Sequence, residues 1–125
     1  MLESGKLMGF ALTKDYVAAR AFYEGKLGLE FVSLDQFALV MKAGGHMIRI
    51  SKVPDFTPLR STVLGWDVQD IDAVVAWLMG RGVLMEKYPF IQDQARGIWA
   101  APGGNDRVVW FKDPDGNVLS VSEHH

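Results

Sequence analysis

The 125-residue chain has no cysteine, which excludes disulfide staples, thiolate metal sites and cysteine nucleophiles and leaves packing and hydrogen bonding to hold the fold. Long apolar runs are missing too: nothing approaches the ~20 residues of a membrane span. The opening MLESGKLMGF has an early Glu and no extended apolar stretch, so it does not read as a signal peptide. A cytoplasmic protein with no membrane partner is expected. Charge of one sign is equally scarce. Thirteen basic side chains face 15 acidic ones, and no basic cluster exceeds two or three residues, so nucleic acid is not an expected partner. There are three histidines, and two of them, His124 and His125, form a terminal pair to which no role is assigned. With only His46 in the body of the chain, none of the serines has a Ser–His–acid context, and no Gly-rich phosphate loop is present.

What is there is the composition of one soluble globular domain: 49% hydrophobic, 22% charged, 13 Gly and 5 Pro spread along the chain. LMGFAL reads as a strand, and YVAARAFYEGKLG has helical spacing after the polar start Thr13–Asp15 and before the stop at Gly28. LEFVSL, FALVMKA and HMIRISKV follow as short strands separated by turn signals. From Val63 the order recurs: strand VLGWDV, helix DIDAVVAWLMGRG, then VLMEKY, RGIWAAP and the hairpin RVVWFKDPDGNVLSVSE. A shift of 55 residues places Met8 on Val63, Asp15 on Asp70, Ala18 on Ala73 and Phe22 on Trp77. The expected fold is therefore α+β, a single domain over 1–125 built from two tandem βαβββ modules, about 6–53 and 61–123, joined by a linker at about 54–60.

Each module would form a four-stranded sheet with its helix on one face, and the other face must lie against something. Two such sheets are expected to curve around a shared cavity. Alternation names the residues on the cavity side: Met8, Phe10 and Leu12 on the first strand; Met47, Arg49 and Ser51; Val63, Gly65 and Asp67; and Val118, Ser120 and Ser122. Trp66 and Trp77 are expected under the helices.

Three motifs, AARAFYEGKLGLEFV, WDVQDIDAVVAWLMGRGV and RVVWFKDPDGNVLSVSE, give the chain a resemblance to the vicinal oxygen chelate superfamily. That superfamily includes glyoxalase I, bleomycin and fosfomycin resistance proteins and extradiol dioxygenases. Within it the chain resembles short members ending in a GIW…PGG…WFKDPDGN pattern. Metal-using members hold a divalent ion with His, Glu or Gln at four equivalent strand positions. Carried over, those positions here are Met8, Arg49, Val63 and Ser120, and none of the four side chains suits such an ion. Among the neighbours, His46 reads as a surface residue at a GGH turn, Asp67 as a helix-cap or hairpin residue, and Glu123 as part of a fraying C-terminus. No metal and no cofactor is expected.

The resemblance and the residues together imply a metal-independent small-molecule binding protein of the bleomycin resistance kind, working as a homodimer. Its partly aromatic, anionic ligand would be lined by Met8, Phe10, Met47, Arg49, Val63, Asp67, Trp99 and Ser120. Arg49 either anchors an anionic group or pairs with Asp67 or a partner subunit's carboxylate. Trp99 and Trp110 either stack on the ligand or belong to a core or dimer interface. The segment EKYPFIQDQARG with Gly97 suggests a mobile loop over the site. The alternatives are a glyoxalase- or dioxygenase-like enzyme, with a rebuilt metal site or metal-free acid–base chemistry on Asp67 or His46, and a regulatory role with a vestigial cavity. No catalytic residue is assigned.

Overall fold

The computed structural model describes residues 1–124; His125 lies outside the described residues. The chain divides into two compact units, Met1–Pro58 and Leu59–His125, a division that falls inside the expected linker. After a single 3-10 turn at Leu2–Ser4, the first unit runs β1 (Met8–Thr13), α1 (Tyr16–Arg20) continuing into a π-helical turn (Ala21–Lys26), β2 (Glu30–Leu34), β3 (Leu39–Ala43) and β4 (His46–Lys52). The second runs β5 (Thr62–Asp67), α2 (Ile71–Gly80), β6 (Trp99–Ala100), β7 (Arg107–Lys112) and β8 (Val118–Glu123). The sheet orders match, β1-β4-β3-β2 and β5-β8-β7-β6. In each, the first and last strands run parallel and the other neighbours antiparallel. This is the α+β architecture of two βαβββ modules.

The repeat is visible at the helix ends. Asp15 and Asp70, both in extended conformation, accept hydrogen bonds from the backbone N–H of Val17 (2.9 Å) and Ala73 (3.1 Å), the N-capping role their spacing predicts. Gly28 and Gly82 follow the helical segments at φ 74° and 81°, in the left-handed region that favours glycine. The covered faces hold the core. Leu39, Met41, Ile48 and Ile50 are buried in the first unit with Ala19, Phe22 and Tyr23. In the second, Val109, Phe111, Leu119 and Val121 are buried with Ile71, Val75 and Leu78 of α2, which packs on β7 and β8. Complete burial of a side chain of this size contributes about 1.5–3 kcal/mol.

Two expectations are corrected. The equivalence of Phe22 and Trp77 fails: Phe22 is buried, its ring edge-to-face with Tyr23 at 5.2 Å, whereas Trp77 is 45% exposed with the Arg81 guanidinium 4.7 Å over its ring. The first helical segment widens into a π turn after Arg20, and α2 has no such turn, so the same offset reaches different sides. The segment VLMEKY is not a strand. Only Met85 forms a bridge, to Phe111, and RGIWAAP contributes just Trp99–Ala100 to the sheet. Pro89 lacks the donor a ladder needs, and Gly97, at φ 75°, bends the chain between the two pieces. Among the described residues no helix is long and apolar enough to cross a membrane.

A Cβ on Gly97 would lie 2.7 Å from Met85 Cβ and 3.1 Å from the Glu86 carbonyl oxygen, on top of its positive φ. Gly103, at φ 68°, faces open space. Gly97→Ala is expected to cost about 2 kcal/mol or more, and Gly103→Ala about 1 kcal/mol, in urea unfolding. Equal effects would show that the Met85 contact is not limiting.

Candidate functional site

In the first unit the open sheet face carries the residues that alternation assigns to it. Met8, Phe10 and Leu12 of β1 pair in register with Met47, Arg49 and Ser51 of β4, and Arg49 also faces Val40 of β3. Ala11, Ile48 and Ile50 are buried on the other side, while Phe10 is 62% exposed. Arg49 is half-buried between apolar neighbours and makes no ion pair with a carboxylate of its own unit. Its charge acts on Asp35, whose carboxyl is held below the usual range mainly by the N–H groups of Phe37 (2.7 Å) and Ala38 (3.1 Å), with Arg49 a smaller contributor. His46 is exposed, as a residue after the Gly44–Gly45 turn should be.

In the second unit two cross-strand rows define the open face. Gly65 pairs with Ser120, and Ser120 with Trp110; Asp67 pairs with Ser122, Ser122 with Val108, and Val108 with Trp99. Val63 sits at an irregularity in pairing between Thr62 and Leu64, half-buried. A Cβ on Gly65 would come within 3.0 Å of Ser120 Oγ, so the floor beside Trp110 stays low because position 65 has no side chain. Val118, also expected on this face, is buried.

Trp99 and Trp110 belong to a cluster of four rings. Their centroids are 6.0 Å apart; Phe90 meets both nearly at right angles, at 6.3 and 5.9 Å; and Tyr88 stacks on Phe90 at 5.5 Å and touches Trp110 edge-on at 5.9 Å. Phe90 is 58% exposed and the two tryptophans are half-buried, so the cluster presents ring surface outward chiefly through Phe90. Sequence reasoning missed Tyr88 and Phe90, which lie in an irregular segment where no period points a side chain; two aromatics flanking Pro89 were the available signal.

That segment, expected as a mobile loop, is tied down. Lys87 Nζ donates to the carbonyls of Gln94 (2.6 Å) and Ala95 (2.7 Å), and Gln94 Nε2 donates to those of Tyr88 and Ile91, both at 2.8 Å. The Gln92 amide donates to the Ala100 carbonyl and accepts from its N–H, each at 3.0 Å, matching the edge of β6 as a strand would.

Glu123, expected to fray, is 4% exposed. Its Oε1 accepts from the Ile71 N–H at the start of α2 (3.0 Å), and its Oε2 accepts from Arg107 (3.1 Å). Arg107 donates also to Asp72 (2.8 Å), which takes a second bond from Arg96 (2.6 Å). Asp72 and Glu123 together raise Arg107 above the usual range for its guanidinium. The network closes one side of an open groove of about 460 Å³ lined by Ala100, Gly104, Asn105, Asp106, Arg107 and Glu123. Asp67 is exposed and takes no part in capping α2, which Asp70 does.

The four carried-over metal positions offer a thioether, a guanidinium, an alkyl group and a neutral hydroxyl, which do not fit a divalent ion. Among the described residues no three His, Asp or Glu side chains are grouped so as to hold one.

The sequence profile of the Glyoxalase/Bleomycin resistance protein/Dioxygenase superfamily matches residues 10–121. No curated protein matches the chain. Among solved structures, the glyoxalase family protein from Enterococcus faecalis superposes with a TM-score of 0.77 at 21% identity, covering 98% of this chain and 100% of that one. The fosfomycin resistance protein FosX from Listeria monocytogenes gives 0.75 at 16% identity, covering 98% and 94%. The glyoxalase/bleomycin resistance protein/dioxygenase from Alicyclobacillus acidocaldarius gives 0.74 at 14%, covering 97% and 92%. At these identities the likeness is one of fold.

Asp72 is held below the usual carboxylate range, first by its hydrogen bond from Arg107. A depressed carboxyl contributes stability that is present above its unfolded pKa, about 4, and lost as pH falls through the lower folded value. The urea midpoint of the wild type is expected to exceed that of Asp72→Asn by a constant margin above about pH 5 and to converge on it below about pH 4. For so exposed a pair the margin is about 1 kcal/mol or less. A margin independent of pH would remove the ionised Asp72 from the account.

Proposed function

The chain belongs to the Glyoxalase/Bleomycin resistance protein/Dioxygenase superfamily, and on that footing we propose that it binds small, partly aromatic molecules without a metal. The reading rests above all on the four-ring cluster of Tyr88, Phe90, Trp99 and Trp110 beside the low floor of Gly65 and Ser120. Ring surface held outward, next to a strip without bulk, suits a flat ligand that stacks on one side and slides over the other. On the open face of the first unit, taken by itself, Arg49 is half-buried and without a carboxylate partner in its unit, which supports the holding of an anionic group there. The donor chemistry at positions 8, 49, 63 and 120 supports binding over metal-assisted turnover. One structural relative is a fosfomycin resistance protein, so handling of a small foreign molecule is in keeping with the fold, though that protein's activity is not carried over. The exposed Leu7 and Phe10, on or beside the edge strand β1, support a homodimer.

Metal analysis of protein purified without added ions should find far less than one equivalent, and Zn²⁺, Ni²⁺, Mn²⁺ and Fe²⁺ should give no stabilising thermal shift. Stoichiometric metal or a clear upward shift would overturn metal independence, because an ion bound only to the native state must raise its stability. By calorimetry, Trp99→Ala is expected to weaken indole roughly 2- to 10-fold, the range of one lost ring contact. For the first unit's face, Arg49→Met should weaken indole-3-acetate while leaving the thermal midpoint in place. A collapse of the midpoint, or an unchanged affinity, would assign Arg49 to structure.

A further inference from the structure

The open face of the second unit has charge as well as rings. Asp67 is exposed on it, in register with Ser122, and forms no ion pair among the described residues. Its neighbours on the face, Gly65, Ser120 and Ser122, are small, so its carboxylate is open to a bound molecule. The unit as a whole has nine acidic side chains against six basic ones. Most of those bases are engaged elsewhere: Arg96 and Arg107 with Asp72, Lys112 with Glu86 at 3.3 Å, Lys87 with loop carbonyls, and Arg81 on the Trp77 ring.

One cation-forming group does reach this side, and the protein favours its charged form. The imidazole of His124 lies 2.9 Å from Ser122 Oγ and 3.0 Å from Asp106 Oδ2. Its pKa is raised first by the bond to Asp106, then by the charges of Asp106 and Asp67. The faces of Trp and Tyr rings act in the same direction, since their quadrupoles attract cations.

We infer that this face selects aromatic ligands bearing a basic nitrogen, with the ring against Trp99, Trp110 and Phe90 and the nitrogen directed at Asp67. β5 lies two strands from β7, which puts Asp67 about 10 Å across the sheet from the strand of Trp110. A fused ring with an amine on a two- or three-carbon arm spans that distance over Ser120 and Ser122. The inference rests on the reading of the second unit's cluster as a binding site for small aromatic molecules and adds a basic nitrogen held at Asp67.

The test is calorimetry of the full chain and of Asp67→Asn with indole and with tryptamine, at pH 7 and low salt. Tryptamine should bind the wild type about five-fold more tightly than indole, the scale of one partly exposed ion pair. In Asp67→Asn the two should bind alike, with the thermal midpoint unchanged. Equal affinities in the wild type, or a preference that survives in Asp67→Asn, would overturn the inference while leaving the aromatic site standing. Binding of neither probe would overturn both.

Discussion

The parallel pairing of the first and last strand in each unit is the constraint from which the rest follows. A parallel pair cannot be closed by a tight turn; the chain must cross over, and here the crossover contains a helical segment and two further strands. That arrangement covers one face of each sheet and leaves the other open. It also makes β4 and β8 interior strands, hydrogen-bonded on both sides. Their inward residues are among the most buried in the protein, with Ile50 and Leu119 fully inaccessible. Their outward residues, Arg49 and Ser120, stand in the middle of the open faces, with neighbours fixed by register: Phe10 and Val40 for one, Gly65 and Trp110 for the other. A slip of one residue would invert both sets at once, so the buried core fixes the site's side chains.

The same closure explains why Glu123, three residues past Ser120, is a structural residue. β8 ends beside the start of α2, where free N–H groups accumulate, and a carboxylate placed there satisfies Ile71 N–H while Arg107 neutralises it. An acid that resembles a metal-ligand candidate in the sequence is thereby committed to the fold. Asp70 and Asp113 are similar cases. Asp70 caps α2, and Asp113 accepts from the N–H groups of Asp115 and Asn117 and from the Asn117 side chain in the turn before β8. Of the acids in the second unit, Asp67 is the exposed one that the sheet leaves facing outward.

Much of this was legible because two signals are local. Period-two alternation placed Met8, Phe10, Met47, Arg49, Gly65, Asp67 and Ser120 on the open faces, and the Asp–helix–Gly punctuation, whose Asp recurs 55 and whose Gly recurs 54 residues on, located both helical segments. The failures share a cause: each depends on a non-local partner or an irregular backbone. Trp77 was misplaced because the π turn of the first unit has no counterpart in α2. Glu123 was misread because its partners lie 16 and 52 residues away. Tyr88 and Phe90 went unassigned because a segment bent by Pro89 and Gly97 has no period from which to read direction.

That irregular segment is where the proposed ring-based site meets a physical requirement of its own. Stacking is weak per contact and depends on rings being held in place before the ligand arrives, since ordering them on binding would cancel most of the gain. Phe90, more than half exposed, has no burial of its own to hold it. The restraint comes from its flanks, where Lys87, Gln92 and Gln94 bond to backbone groups on both sides, and from the three rings against which it packs. The hydrogen bonds of the loop thus hold the exposed ring in place. On the proposed reading Gly65 and Ser120, poor in donor chemistry, serve a flat ligand as a floor without bulk.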